Sequence, residues 1–174
     1  MNAIFLDRDG VLNKAIVKSG KPYAPRMIDE IVIEEQTIID LAKLKLAGLI
    51  LIVITNQPDV ANGLMQESEA KEIHEFIMNY LNIEHSYICF HNEAAECGCR
   101  KPKAGLILRA ASDLGINLHK SFLIGDRWKD IQAGQSAGCK SYFIDRHYNE
   151  KLPNEPYTRV HSLTEAAQLI LESN

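Results

Sequence analysis

Short apolar runs alternate with longer stretches of helical spacing along this chain. Residues 3–6 (AIFL), 49–55 (LILIVIT), 87–90 (YICF), 121–125 (SFLIG) and 141–144 (SYFI) are rich in β-branched or aromatic residues and bounded by turn formers. Such runs read as strands buried on both faces. Between them, residues 37–48 bring Ile38, Leu41, Leu44 and Leu46 near one helical face, and residues 69–81 do the same with Ile73, Phe76, Ile77 and Tyr80. Further helices are expected over residues 104–115, 129–138 and 163–173, the last opened by a Ser162/Glu165 capping box. Gly48, Gly115 and Gly138 each close a helical pattern just before a strand, where a C-cap glycine belongs. Strands alternating with helices predict an α/β fold, a parallel sheet flanked by helices with right-handed crossovers.

Residues 14–34 break the alternation. Gly20, Pro22 and Pro25 punctuate them, with IVI (residues 31–33) as a candidate edge strand. The segment is too short for a second domain and is expected to form a flap over the strand ends, so residues 1–174 are expected to form one domain. The length suits one buried core. Neither a signal-type apolar run nor a membrane-length one is present, which makes the cytoplasm the expected location. A net charge of −4 argues against general binding to nucleic acid or anionic membrane. A monomer acting on a small molecule is the expected state.

In a parallel sheet, ligands bind beyond the carboxyl ends of the strands. The first strand is followed by Asp7 and Asp9, with Gly10 permitting a turn; the second ends in Thr55, Asn56 and Gln57. The third leads to Arg100, Lys101 and Lys103, and the fourth to Asp126, Arg127 and Asp130. Singly, each is an ordinary turn or a solvated loop. Together they gather three acids, a hydroxyl and a lysine at one edge. Asp7, Asp9 and Asp126 suit a hard cation such as Mg²⁺, with Thr55 and Lys101 left for a phosphoryl group.

This ordered set resembles the haloacid dehalogenase (HAD) superfamily of phosphohydrolases. FLDRDGVLN, VITN, RKPK and FLIGDRWKD look like its four motifs, and the resemblance spans about residues 3–144. It implies a Rossmann-like three-layer fold with a minimal cap and a Mg²⁺-dependent phosphatase. Asp7 would be the nucleophile and Asp9 the acid, then the base. Mg²⁺ would lie on Asp7, Asp126 and the Asp9 carbonyl. Thr55, Asn56, Gln57, Arg100 and Lys101 would hold phosphate or substrate, supported by Asp130 and Arg127.

Cys89, His91, Cys97 and Cys99 form a C-x-H-x5-C-x-C set that suits tetrahedral Zn²⁺. Buried free cysteines are the alternative. Four protein ligands leave no open position, so such zinc would be a clamp on the loop that delivers Arg100 and Lys101. Cys139 reads as a small core residue. A zinc loop ahead of CRKP resembles two groups of this superfamily: the D-glycero-D-manno-heptose 1,7-bisphosphate 7-phosphatases and the histidinol-phosphate phosphatases. TNQPDVANG favours the first and the five-residue spacer from His91 to Cys97 the second; removal of the 7-phosphate from the heptose bisphosphate is the expected activity, with histidinol phosphate or another small sugar phosphate as the alternative substrate. Two non-catalytic classes compete. A phosphorelay receiver shares the acids, hydroxyl and lysine but lacks a D-x-D after its first strand. A zinc-stabilised binding module explains only the cysteines.

Overall fold

The computed structural model describes residues 1–173. Its six-stranded sheet runs in the order β5-β4-β1-β6-β7-β8. The strands are β1 (Ala3–Leu6), β4 (Ile50–Asn56), β5 (His85–Cys89), β6 (Phe122–Gly125), β7 (Lys140–Ile144) and β8 (Thr158–Val160), all pairing in parallel. The short strands β2 (Ile16–Lys18) and β3 (Lys21–Tyr23) form a separate antiparallel hairpin within the expected flap. The five strands read from the sequence are present, β1 with the same bounds and the others with one or both ends moved by at most two residues. Residues 31–33 are not a strand; Ile31 and Ile33 pack against the core, and Lys14 N–H donates to Val32 O at 2.9 Å.

Side chains alternate across the sheet with period two, which splits the core into two layers. Ile4, Leu6, Leu51, Val53, Ile124, Tyr142 and Ile144 face one layer. It is covered by α1 (Glu35–Leu46), α2 (Glu67–Tyr80) and α5 (Leu163–Ser173). Phe5, Ile52, Ile54, Leu123 and Phe143 face the other, covered by α3 (Gly105–Leu114) and α4 (Trp128–Ala137). This is the three-layer arrangement expected. The helix-ending glycines Gly48, Gly115 and Gly138 have φ of 82°, 64° and 85°, open to glycine at little cost. At α5, Ser162 Oγ accepts from Glu165 N–H at 3.1 Å, whereas Glu165 reaches back to His161 N–H at 2.7 Å, one residue beyond the expected box.

Two helical faces differ from expectation. In α1, Leu41 and Leu44 are buried with Thr37 and Asp40, while Ile38 and Leu46 are exposed. Asp40 tolerates burial because Gln36 Nε2 and Thr164 Oγ1 donate to its two oxygens at 2.9 and 2.6 Å. In α2, Ile73 and Ile77 turn inward with Ala70, His74 and Met78, and Phe76 and Tyr80 stack on each other outside.

Burial pushes the His74 pKa down from the usual 6.5 to about 4, and Arg8 adds to the shift while Asp9 opposes it. The folded protein therefore keeps His74 neutral where the unfolded chain would protonate it. Between about pH 6.5 and pH 4 the unfolded state binds more protons, so stability falls as pH falls through this window. The expected loss is roughly 3 kcal/mol at its limit. Denaturant titrations from pH 7 to pH 4.5 should show a shallower acid slope in His74→Leu than in the unaltered protein. Equal slopes would mean that His74 does not carry the effect.

Candidate active site

The carboxyl ends of β1, β4, β5 and β6 bring the motif residues to one edge. Asp7 N–H donates to Ile124 O at 3.0 Å, which extends the β1–β6 pairing and fixes where the first acid emerges. Lys101 Nζ sits among Asp7 Oδ1 at 2.7 Å, Asp130 Oδ1 at 2.6 Å and Ile54 O at 2.9 Å. Its own backbone is clamped by Asn56: Lys101 N–H donates to Asn56 Oδ1, and Asn56 Nδ2 donates to Lys101 O, both at 3.1 Å. Burial works against the lysine's charge, but the two carboxylates outweigh it and raise its pKa. One lysine cannot neutralise both acids. Burial, then the charge of Asp130, pushes the Asp7 pKa up to about 6 despite Lys101.

Asp9 has a different environment. Arg8 grips it bidentately, at 3.1 and 2.9 Å. Asn13 Nδ2 donates to Oδ1 at 3.0 Å and Gln57 Nε2 to Oδ2 at 2.8 Å. Burial would raise its pKa, but the Arg8 charge and these donors hold it below the usual carboxylate range. Gln57 Nε2 also donates to Thr55 Oγ1 at 2.9 Å, which leaves the Thr55 hydroxyl proton free to point into the cleft. Gln57 thus braces Asp9 and Thr55.

Asp126 is buried, and burial followed by the nearby Asp7 and Asp130 charges raises its pKa well above the usual range. Tyr148 OH donates to its Oδ2 at 2.8 Å, whereas Oδ1 is buried without a partner among the described residues. Carboxylate oxygens of Asp7, Asp126 and Asp130 lie within 4.8 Å of one another. Asp130 already uses Oδ1 for Lys101 and Oδ2 for Arg127 N–H, at 2.6 and 2.9 Å. Three clustered acids with one shared lysine and an unpartnered buried oxygen fit a hard divalent cation, which prefers oxygen ligands.

The second cluster lies beside this edge. Cys99 Sγ is 3.3 Å from Cys89 Sγ, 3.4 Å from Cys97 Sγ and 3.3 Å from His91 Nδ1. Cys89 Sγ is 3.7 Å from Cys97 Sγ and 3.6 Å from His91 Nδ1. A tetrahedral zinc with bonds of about 2.0–2.3 Å requires ligand separations of roughly 3.5–3.8 Å, so these residues could hold one with little movement, His91 through Nδ1. Several contacts link the loop to the site: Gln57 N–H donates to Cys89 O at 2.7 Å, Arg100 Nη1 to His91 O at 3.1 Å and Asn92 Nδ2 to Asn62 Oδ1 at 3.1 Å, and Glu93 pairs with Lys129. Cys139 lies apart, buried in the second core layer.

The family model described as HAD-hydrolase-like matches residues 98–166. The D-glycero-beta-D-manno-heptose-1,7-bisphosphate 7-phosphatase of Pasteurella multocida is 33% identical over 150 residues, 80% of this chain and 78% of that protein. The D-glycero-alpha-D-manno-heptose-1,7-bisphosphate 7-phosphatase of Campylobacter jejuni is 36% identical over 141 residues, 78% of this chain and 77% of its own. This chain belongs to the HAD-type heptose-bisphosphate phosphatase family. The fold agrees: the D,D-heptose 1,7-bisphosphate phosphatase of B. bronchiseptica, crystallised with magnesium and phosphate, superposes with a TM-score of 0.87 over all of both chains at 24% identity.

In this phosphatase, the cleft over Asp7 and Asp9 has a volume of about 270 Å³. Thr55, Asn56, Lys101, Arg127 and Asp130 line it, and the hairpin closes it with Lys21, Pro22 and Tyr23. Arg100 lies in an adjoining hollow with Lys103 and Trp128; Lys101 and Lys129 border both spaces. Lys14 and Lys18, the flap lysines expected to add charge around the pocket, do not line the cleft: Lys14 pairs with Glu34, and the flap lysine in the lining is Lys21. Pro58 and Asp59, which carried no sequence reading, also line the cleft, and Arg26 Nε donates to Asp59 Oδ2 at 2.7 Å from the far end of the flap. Arg8, Asn13 and Tyr148 were missed as site residues. Arg8 and Asn13 stand inside the first motif, but only the turn geometry shows what they hold. Tyr148 follows the fifth strand and had no motif to mark it.

Proposed function

We propose that the protein removes the 7-phosphate of D-glycero-D-manno-heptose 1,7-bisphosphate through an aspartyl-phosphate on Asp7. The observation that carries this reading is the similarity to heptose-bisphosphate phosphatases across four-fifths of the chain, with the acid–lysine cluster at the head of the cleft. Asp7 and Asp126, with the Asp9 carbonyl, would hold Mg²⁺, which when bound supplies positive charge against the phosphoryl oxygens and favours ionised Asp7. Lys101, fixed on three sides, adds charge on the other flank, and Thr55 donates its free hydroxyl proton to a phosphoryl oxygen.

Asp7 attacks phosphorus as the sugar oxygen leaves, and Asp9 gives that oxygen a proton. At rest Asp9 is held as a carboxylate; an arriving dianionic phosphoryl group adds negative charge beside it and favours the protonated form this step needs. Once the sugar has left, Arg8, Gln57 and Asn13 stabilise the carboxylate, which takes a proton from the water that attacks the aspartyl-phosphate. Inorganic phosphate departs and Asp7 is regenerated. Cys89, His91, Cys97 and Cys99 would bind one structural Zn²⁺. Asn56 sets the backbone of Lys101, and Arg100, held by the zinc loop, would grip the distal part of the substrate from the adjoining hollow.

Phosphate release from both anomers of the bisphosphate, from sugar monophosphates and from histidinol phosphate tests the assignment on one preparation. The bisphosphate should win in kcat/KM by about tenfold or more, because distal contacts help orient the reacting group. Arg100→Ala should shrink that margin while sparing p-nitrophenyl phosphate turnover. A higher kcat/KM for histidinol phosphate would overturn the substrate and leave the chemistry standing.

A further inference from the structure

We propose that Tyr148 is a positioning residue that presets Asp126 for its cation, mounted on a strap formed by residues 145–150. The inference rests on the reading of Asp126 as a ligand of the divalent cation.

The chain between β7 and β8 crosses the same edge that carries the active site. Asp145 N–H donates to Val160 O at 2.9 Å, and Asp145 Oδ1 accepts from His147 N–H at 2.9 Å. Arg146 then reaches over the first motif, where Nε and Nη2 donate to Gly10 O at 3.1 and 2.9 Å. Asn149 N–H donates to Gly20 O in the flap at 2.7 Å, and Glu150 accepts from Arg127 Nε at 3.0 Å. The strap is therefore tied to the turn after Asp9, to the hairpin over the cleft and to the residue following Asp126. Tyr148 sits between these anchors.

Its hydroxyl meets Asp126 Oδ2 from one side while Gly10 closes the other. A Cβ at Gly10 would lie 1.8 Å from Asp126 Oδ2 and 3.0 Å from Tyr148 OH, so the carboxylate oxygen occupies space that only glycine leaves open. With Oδ2 wedged and hydrogen-bonded, the carboxylate cannot rotate freely about its last bond, and the unpartnered Oδ1 is the oxygen left to bind. A ligand fixed in this way loses less freedom when the cation arrives. The geometry assigns this role to Tyr148.

Tyr148→Phe keeps the ring and removes the hydrogen bond. Calorimetric titration with Mg²⁺ alone, without substrate, should show Kd raised by about tenfold, in line with the loss of an outer partner of a metal ligand. The Mg²⁺ concentration for half-maximal p-nitrophenyl phosphate turnover should rise in parallel, with kcat at saturating Mg²⁺ nearly restored. Thermal stability without Mg²⁺ should change little. Arg146→Ala, which loosens the strap without touching Asp126, should shift Kd the same way by less. Equal Mg²⁺ affinity in Tyr148→Phe and the unaltered protein would overturn the role of Tyr148 alone. If the unaltered protein takes up no Mg²⁺, the cation reading itself falls, and this inference with it.

Discussion

Asp7→Asn is expected to lower kcat by about 10⁴-fold or more while leaving thermal stability unchanged or raised. The amide cannot attack phosphorus, so no aspartyl-phosphate forms. The stability expectation follows from the electrostatics. Burial and Asp130 already penalise the ionised Asp7, pushing its pKa up to about 6. A neutral side chain of the same shape removes that penalty, and Lys101 keeps Asp130 and Ile54 O as partners. Catalytic sites commonly hold charge at the expense of stability, and a neutral substitution exposes the trade. Phosphate release and a melt without Mg²⁺ are the two measurements. Asp9→Asn on the same preparation should retain the ability to be phosphorylated and accumulate phospho-enzyme, visible by intact mass. A near-normal rate in Asp7→Asn would end the covalent mechanism.

Loss of zinc should have the second large effect. Residues 92–96 of the loop include four exposed positions and one half-buried one, so apolar packing contributes little there. Beyond the Cys/His cluster, the loop is held by polar contacts: Arg100 on His91 O, Lys103 Nζ on Glu96 O and Cys97 O at 2.9 and 2.8 Å, Asn92 Nδ2 on Asn62 Oδ1 at 3.1 Å, and an exposed Glu93–Lys129 pair. Ligation would supply most of the energy that orders it, and the same loop ends at Lys101. One zinc per chain should co-purify and resist mild chelation. Cys97→Ser, or removal of zinc by a strong chelator, should lower the melting temperature by on the order of 10 °C, with activity lost as Lys101 and Arg100 lose their support. Metal analysis, a thermal melt and a rate on the same samples decide it; a zinc-free protein of equal stability and activity would remove the clamp.

The strands of the sheet's centre were legible because burial on both faces leaves a run with few polar residues, and the turns after them carry the motifs. β8 and the β2–β3 hairpin were not. Each of these strands has three residues, with lysine, arginine or proline among them, and it is pairing with a neighbour that makes it a strand. Helix spacing was legible and helix phase only partly. Ile38, Leu46, Phe76 and Tyr80 satisfy a helical period as well as their buried neighbours do, and which side faces in depends on where the sheet lies. In α1 the buried face includes Asp40, whose charge is met by Gln36 within the helix and by Thr164, far along the chain.

The same division holds at the site. The chain's local chemistry determined the α/β alternation, the acid pair after the first strand, the lysine and third acid after later ones, and a Cys/His spacing that suits one metal. Each is a feature of a few neighbouring residues. The tertiary structure alone decided that Lys101 meets Asp7 across 94 positions, that Gln57 spans from Thr55 to Asp9, that Arg26 pairs with Asp59, and that Tyr148 closes on Asp126. These contacts follow from strand order and from where each crossover returns the chain. A carboxylate's pKa, its free oxygen and its partner are properties of that assembled edge, which is why two aspartates two residues apart, Asp7 and Asp9, are pushed in opposite directions.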